Sequence, residues 1–386
     1  MDNKISQNRY SDWVIAVLFV FSLFIPMGFW LVQGDESFSE AEKRSLQDLP
    51  KLSVQSATTW CTAFDGYYQD HFGLREWLIH RYQREMSKRF GVSGVAVVIE
   101  GQEGWLYLAD GDILDDFKGQ LRFSDKEKGA FWQQLKTRQE LLKQQGSAYL
   151  FMIAPNKQSI YPEYLPEYFQ ELRGPSRLDD LLSAMPLHEM GPLLDIRKRL
   201  VVEKSDVRLY DRTDTHWNLR GAHMGYLALM EETGRQTEEL RFTALFEEES
   251  GGDLARLMGQ KESRIEQSPL FETNLFSAVL REIEAPFAEM LALPQLNVVR
   301  TTKANRDMRV LVLHDSFFER LKPMVSETYG EVLYVWRYYD NASMRFITED
   351  KLRQLVDLYK PDLVIEELVE RNLPHYWPEP SPTVQE

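Results

Sequence analysis

The chain has 386 residues, 43% of them hydrophobic and 27% charged, a composition that excludes a largely disordered protein and allows a sizeable core. Its formal net charge of −15 lacks the cationic surplus that phosphate contacts require, which sets nucleic-acid binding aside. With Cys61 as the only cysteine, no intrachain disulfide and no cysteine-based metal cluster can form.

Near the amino terminus, WVIAVLFVFSLFIPMGFWLV (residues 13–32) carries no charge. A helix of that length spans about 30 Å, the hydrocarbon thickness of a bilayer. Lys4 and Arg9 precede the run and no small-residue cleavage site follows it, so it reads as an uncleaved signal anchor. Residues 1–12 are then expected in the cytoplasm, 33–56 as a juxtamembrane linker, and 57–386 as a domain beyond a bacterial inner membrane, in the periplasm.

Phe64, Tyr67, Tyr68, His71, Phe72, Leu74, Leu78 and Tyr82 recur at helical spacing, which predicts amphipathic helices interrupted at Gly73 with these side chains in a core. VAVVIEGQEGWLYLADGD, a β-branched run and an aromatic run about a glycine turn, predicts a hairpin. The segment DKEKGAFWQQLKTRQELLKQQG predicts a helix stopped at Gly146, and SAYLFMIAP a buried strand after it. RLYD, RVLVLHDS, EVLYVWR and PDLVIEEL predict further strands, with helices over 218–232, 317–329 and 347–360. Strands alternating with helices predict an α/β layered fold with a mostly parallel sheet. Residues 233–305 break this rhythm and read as an insertion.

Two polar turns carry the candidate chemistry. In RVLVLHDSFF, Ser316 falls at a strand-to-helix junction, at the carboxyl edge where α/β sheets hold their sites. Its N–H is free of helical partners and suits developing negative charge, although a serine there also serves as an ordinary helix cap. In DTHW, Asp214 and His216 share a side if the segment is extended, so the carboxylate can orient the imidazole; the same pair can equally cap a helix beginning near Asn218. Both turns follow an apolar run, RLYD and RVLVLHDS, which predicts that Asp214, His216 and Ser316 converge at one sheet edge.

Further residues have two readings each. Arg337, after EVLYVW, is a donor to a tetrahedral oxyanion or one half of a surface ion pair. Trp217 stacks on a sugar or packs against the sheet. Asn156 and Lys157 lie at a strand end, where loop polarity also explains them, and Glu370 with Arg371 reads as a structural pair. His216 and His223 lack a third suitably spaced ligand, so no metal and no cofactor is expected.

DTHWNLRGA together with VLHDSF resembles the catalytic signature of the alginate O-acetyltransferase family, the periplasmic AlgJ and AlgX proteins, whose domains are SGNH-hydrolase-like. YYQDHFGLRE, GWLYL, APNKQSIYPEYLP, GGDLA and PDLVIEELVERNL are similar too, so the resemblance runs from about residue 60 to 375, and it is to the membrane-anchored AlgJ type. It implies that Asp214, His216 and Ser316 form a triad that moves acetyl groups through an acetyl-serine onto hydroxyls of an exported polysaccharide such as alginate. It also implies a multispanning membrane O-acyltransferase as the relay that delivers the acetyl group. Two positions depart from the family pattern: His314 stands where a glycine commonly precedes Asp-Ser, and Leu219 where a proline is frequent. A carbohydrate acetylesterase with the same triad, and a noncatalytic component of a polysaccharide export complex, are the alternatives.

Overall fold

The computed structural model describes residues 13–15, 17, 19–21, 24, 25, 28, 29, 38, 39, 44–50, 57–75, 77, 78, 81, 97–109, 111–184, 191–236, 246, 247, 250–270, 278–281, 298–303, 306–340 and 345–376. The chain divides into two compact units, Met1–Val95 with Arg256–Gly259, and Ala96–Ala255 with Gln260–Glu386.

In the first unit, helix α1 (Ala57–Asp70) lines up rings one helical turn apart: Trp60 stacks on Phe64 at 5.0 Å and Tyr67 on His71 at 4.3 Å. Tyr67 is buried as expected, whereas Phe64 and Tyr68 are exposed; Tyr82 lies outside the described residues. No helix among the described residues is long and apolar enough to cross a membrane, and many positions of the expected anchor at 13–32 lie outside them.

The second unit holds the chemistry. Strands β1 (Val98–Glu100) and β2 (Leu106–Leu108) form the expected antiparallel hairpin. Helix α2 (Asp125–Gln144) starts with a reciprocal Ser124–Glu127 capping box and stops where Gly146 takes a φ of 84°, the left-handed conformation that glycine adopts without strain. The chain then builds β3 (Ala148–Ala154), β4 (Leu193–Asp195), α3 (Arg197–Glu203), α4 (Leu219–Glu232), β5 (Val279–Arg281), β6 (Val298–Thr302), β7 (Arg309–His314), α5 (Lys322–Thr328), β8 (Glu331–Trp336), α6 (Glu349–Tyr359) and β9 (Leu363–Val369).

These strands make one seven-stranded sheet in the order β4-β3-β9-β7-β8-β6-β5, parallel from β4 through β8 and antiparallel at β6 and β5. Alternate side chains go to opposite faces, which accounts for the continuous apolar runs. Tyr149, Phe151 and Ile153 of β3 pack with α2 and α6 residues such as Leu135 and Leu355. Leu150, Met152 and Ala154 pack with α4 and α5 residues such as Tyr226 and Val325. Sheets buried on both faces are the rule for parallel α/β folds.

Two expectations need correction. RLYD is not a strand of this sheet: Tyr210 makes only an isolated antiparallel bridge with Trp217, so its apolar character reflects burial of a loop. Within 233–305, expected as an insertion outside the layered pattern, β5 and β6 extend the sheet as an antiparallel edge. In the parallel core, β3, β9 and β7 end at Ala154, Val369 and His314, so the residues that follow them gather along one edge.

Candidate active site

The serine end is built on the sheet. After the buried β7, Asp315 caps a 3-10 turn, Ser316–Arg320. Asp315 Oδ1 accepts the Phe317 N–H at 2.9 Å and Oδ2 accepts the Val369 N–H at 2.8 Å, while the Asp315 N–H donates to Glu367 Oε2 at 3.0 Å. Three bonds thus tie the turn to itself and to β9. Asp315 therefore does the capping that the sequence also allowed for Ser316, and the Ser316 hydroxyl is left for another partner. Its N–H, as the first of the turn, has no partner within it.

That partner is His216: Nε2 lies 2.8 Å from Ser316 Oγ. On the other side of the ring, Nδ1 lies 2.7 Å from Asp214 Oδ1, which also accepts the His216 backbone N–H at 2.8 Å. A carboxylate at Nδ1 keeps the proton there and leaves Nε2 as the acceptor facing the serine O–H. Burial opposes ionisation of Asp214, but the hydrogen bond and charge of His216, with the Arg320 guanidinium, outweigh it and hold the carboxyl well below the usual carboxylate range.

The histidine end rests on a loop, so its rigidity has to come from side chains. The buried Trp217 donates from Nε1 to Phe317 O at 2.9 Å, joining the two ends of the site. Arg320 donates to Asp211 Oδ2 at 2.9 Å and to Trp217 O. From beneath, Lys157 Nζ reaches Asp211 O at 2.9 Å and Arg212 O at 3.1 Å; burial pushes this ammonium down to about 8 against the pull of Asp214, Asp253, Glu266 and Asp211. Asn218 caps α4 through the N–H groups of Arg220 and Gly221, and Leu219, the position where the family often has proline, is the first helical residue.

The sequence did not single out the residues behind Asp214. The Asp253 N–H donates to Asp214 Oδ2 at 3.2 Å, and its carboxylate accepts from Thr215 N at 2.7 Å and Thr215 Oγ1 at 2.6 Å. Gly252 passes so close that a Cβ there would meet Asp214 Cβ at 2.5 Å and Asp214 Cα at 2.8 Å. The signal was the GGD of GGDLA inside an otherwise acidic stretch. Asp214, His216 and Asp253 bring donor atoms within 4.8 Å of one another, the spacing of a metal site, but these atoms are already engaged with one another and with Thr215.

Four other expectations resolve individually. Trp217 has no face for a sugar: it is fully buried, packed edge-on to Phe317 at 5.4 Å. Arg337 is buried, and its terminal nitrogens donate to Glu366 Oε1 at 2.6 Å and Glu367 O at 2.7 Å, so these donors serve a charge pair inside the sheet rather than an oxyanion. Glu370 does not pair with Arg371; it accepts the Asn156 N–H at 2.9 Å and Ser159 Oγ–H at 2.6 Å. His314, packed among Phe318, Tyr334 and Trp336, donates from Nδ1 to Asp315 O at 2.8 Å, and burial together with Lys322 pushes it down to about 3. It is a neutral ring bonded to the main chain.

Comparison with known proteins adds an independent line. Residues 98–279 match the family model for the SGNH hydrolase-like domain of the acetyltransferase AlgX. The chain is 26% identical over 222 residues to a probable alginate O-acetylase AlgJ of Pseudomonas putida; the match covers 56% of this chain and 51% of that protein, so the chain spans about half the length of the curated relative. Among solved structures it is similar to the O-acetyltransferase domain of Pseudomonas putida AlgJ, with a TM-score of 0.45, 16% identity and coverage of 73% of this chain and 93% of that one. It is also similar to Bacillus cereus PatB1 with a sulfonyl adduct, with a TM-score of 0.47, 16% identity and coverage of 72% and 97%.

Proposed function

From the similarity of residues 98–279 to the SGNH hydrolase-like domain of the AlgJ/AlgX acetyltransferases, we propose that the chain is a member of that family and transfers acetyl groups onto hydroxyls of an exported, alginate-like polysaccharide through an acetyl-Ser316 intermediate. The observation that carries this reading is the unbroken chain from Ser316 Oγ to His216 Nε2 at 2.8 Å and from His216 Nδ1 to Asp214 Oδ1 at 2.7 Å.

In the first half-reaction Ser316 Oγ attacks the acetyl carbonyl carbon while His216 Nε2 takes the serine proton. Asp214, ionised and fixed by its two bonds to His216, stabilises the imidazolium. The Ser316 N–H faces the negative oxygen of the tetrahedral adduct. Collapse breaks the bond to the donor, whose leaving atom takes the proton from His216. In the second half-reaction a sugar hydroxyl gives its proton to His216 and attacks the acetyl carbon, and Ser316 leaves with that proton. No cofactor enters either half. The acetyl donor reaches the site from a multispanning membrane O-acyltransferase, and the domain works in the periplasm, held by the anchor at 13–32.

The assembled triad argues against a purely architectural component. Hydrolysis differs from transfer only in which hydroxyl reaches the acetyl-serine, so the test is the product. Incubation of the full chain with p-nitrophenyl acetate and oligosaccharides is expected to yield acetylated sugar by mass spectrometry. Acetate release without acetylated sugar would sink the transferase reading, and acetylation by Ser316→Ala would sink the triad.

A further inference from the structure

Arg371 follows the buried Glu370 but does not share its bonds. Its guanidinium carbon lies 5.2 Å from the centre of the Phe317 ring, and that ring packs on the His216 imidazole with centres 4.8 Å apart. The side chain is half-buried, and among the described residues it has no carboxylate partner. Stacking on an aromatic face satisfies the plane of a guanidinium, but it leaves the N–H donors at its rim available to an anion.

The surrounding space shows where those donors can be used. Arg371 lines a narrow recess with Thr215, Asn156 and Lys157. The recess shares Ile113, Asn156 and Gln158 with a cavity of about 310 Å³, within the range of small-ligand sites. Its carboxylates are committed: Asp116 holds Arg177, and Asp179 and Asp195 both hold Arg197. Its remaining cations, Arg173 stacked 6.0 Å from Phe117 and the exposed Lys198, have no carboxylate partner among the described residues. Arg371, Arg173 and Lys198 are thus cations of the recess and cavity that no carboxylate among the described residues engages. Neither Ser316 nor His216 lines the recess or the cavity, but Thr215, the neighbour of His216 in the chain, lines the recess.

We propose that Arg371 is a specificity-determining residue that binds a carboxylate of the acceptor sugar beside His216, with the adjoining cavity holding the next anionic sugar against Arg173 and Lys198. This rests on the transferase reading above, and it adds which groups of the acceptor are recognised and by what.

The test uses the full chain with p-nitrophenyl acetate as donor, and compares oligomannuronate with neutral manno-oligosaccharide as acceptor. In Arg371→Gln the KM for oligomannuronate is expected to rise at least tenfold, with a much smaller change for the neutral acceptor, and Arg371→Lys is expected to recover part of the loss. Equal effects on both acceptors, or a p-nitrophenolate burst slowed as much as transfer itself, would overturn the assignment, the latter by making Arg371 a stabiliser of the first half-reaction. If the unaltered protein acetylates neither acceptor, the transferase reading fails, and the Arg371 assignment is read from calorimetric binding of oligomannuronate to the Ser316→Ala protein. Weaker binding on adding Arg371→Gln sustains it; equal binding, or none in either protein, overturns it.

Discussion

At the scale of single residues, the site depends on protons being kept in particular places. Asp214→Asn preserves shape but can offer an N–H to His216 Nδ1, favouring the tautomer whose Nε2 already carries a proton. The p-nitrophenolate burst is expected to fall on the order of 10³–10⁴-fold, with the fold unchanged by circular dichroism. Glu367 presents the opposite case. Burial, then the neighbouring Asp315 charge, pushes its carboxyl well above the usual range, so it sits protonated beneath the nucleophile turn while still accepting the Asp315 N–H at 3.0 Å. A raised carboxyl loses stabilisation as pH rises past the unfolded value of ~4.3, because only the unfolded chain then gains by ionising. Glutamine supplies the same acceptor and a donor without that loss. Glu367→Gln is accordingly expected to keep the burst and to gain stability over the unaltered protein between pH 5 and 8 in urea titrations; a collapse of the burst would show that the carboxyl itself is needed. At this scale the sequence drew attention to Asp214, His216 and Ser316 by residue type, and the structure places the three in series at hydrogen-bonding distance. It could not separate Arg337 from Arg371. Both follow a strand, and which one points into the sheet and which over Phe317 depends on neighbours distant in the chain.

At the scale of elements, a rigid strand end meets a braced loop, and the two are expected to fail differently. Gly252→Ala puts a methyl group against the main chain of Asp214, where nothing flexible can yield. The expected result is a loss of roughly 10²-fold in kcat from displacement of the base, with little change in the urea midpoint, because the loop can shift without emptying the core. Asn218→Ala removes the cap of α4 and the Nδ2 bond to Arg208 O at 2.8 Å. Its cost is expected to be about 1 kcal/mol of stability, measured by urea unfolding. The core elements were legible in the sequence because both-face burial writes continuous apolar runs, as in AYLFMIA and RVLVLH. The antiparallel extension was not: VVRTT mixes polar and apolar residues although it is paired on both sides, and it lies in a segment whose acidity suggests a loop. RLYD misled for the converse reason, since a loop that packs Leu209 and Tyr210 into the core looks like a strand.

At the scale of the whole molecule, the depressed Asp214 links the site to stability. Its contribution is complete above the unfolded value of ~3.9 and is lost as the pH falls below it, because the unfolded chain then gains by taking up a proton that the folded, still ionised Asp214 does not. The unaltered protein is expected to lose more stability than Asp214→Asn between pH 5 and 3 by urea unfolding; parallel losses would refute the link. The order of strands has a practical meaning for anyone who handles this protein in pieces. The region matched by the AlgX family model, 98–279, contains Asp214 and His216 but not Ser316, and it brings β3 and β4 without β9, β7 and β8. A gene trimmed to that match would encode the proposed base without the proposed nucleophile, and an orphaned pair of strands with β3 bare along the side that β9 should cover. Such a product is expected in inclusion bodies, whereas separate expression of the missing carboxyl-terminal segment could rescue it by strand complementation, restoring the burst only when both fragments are present.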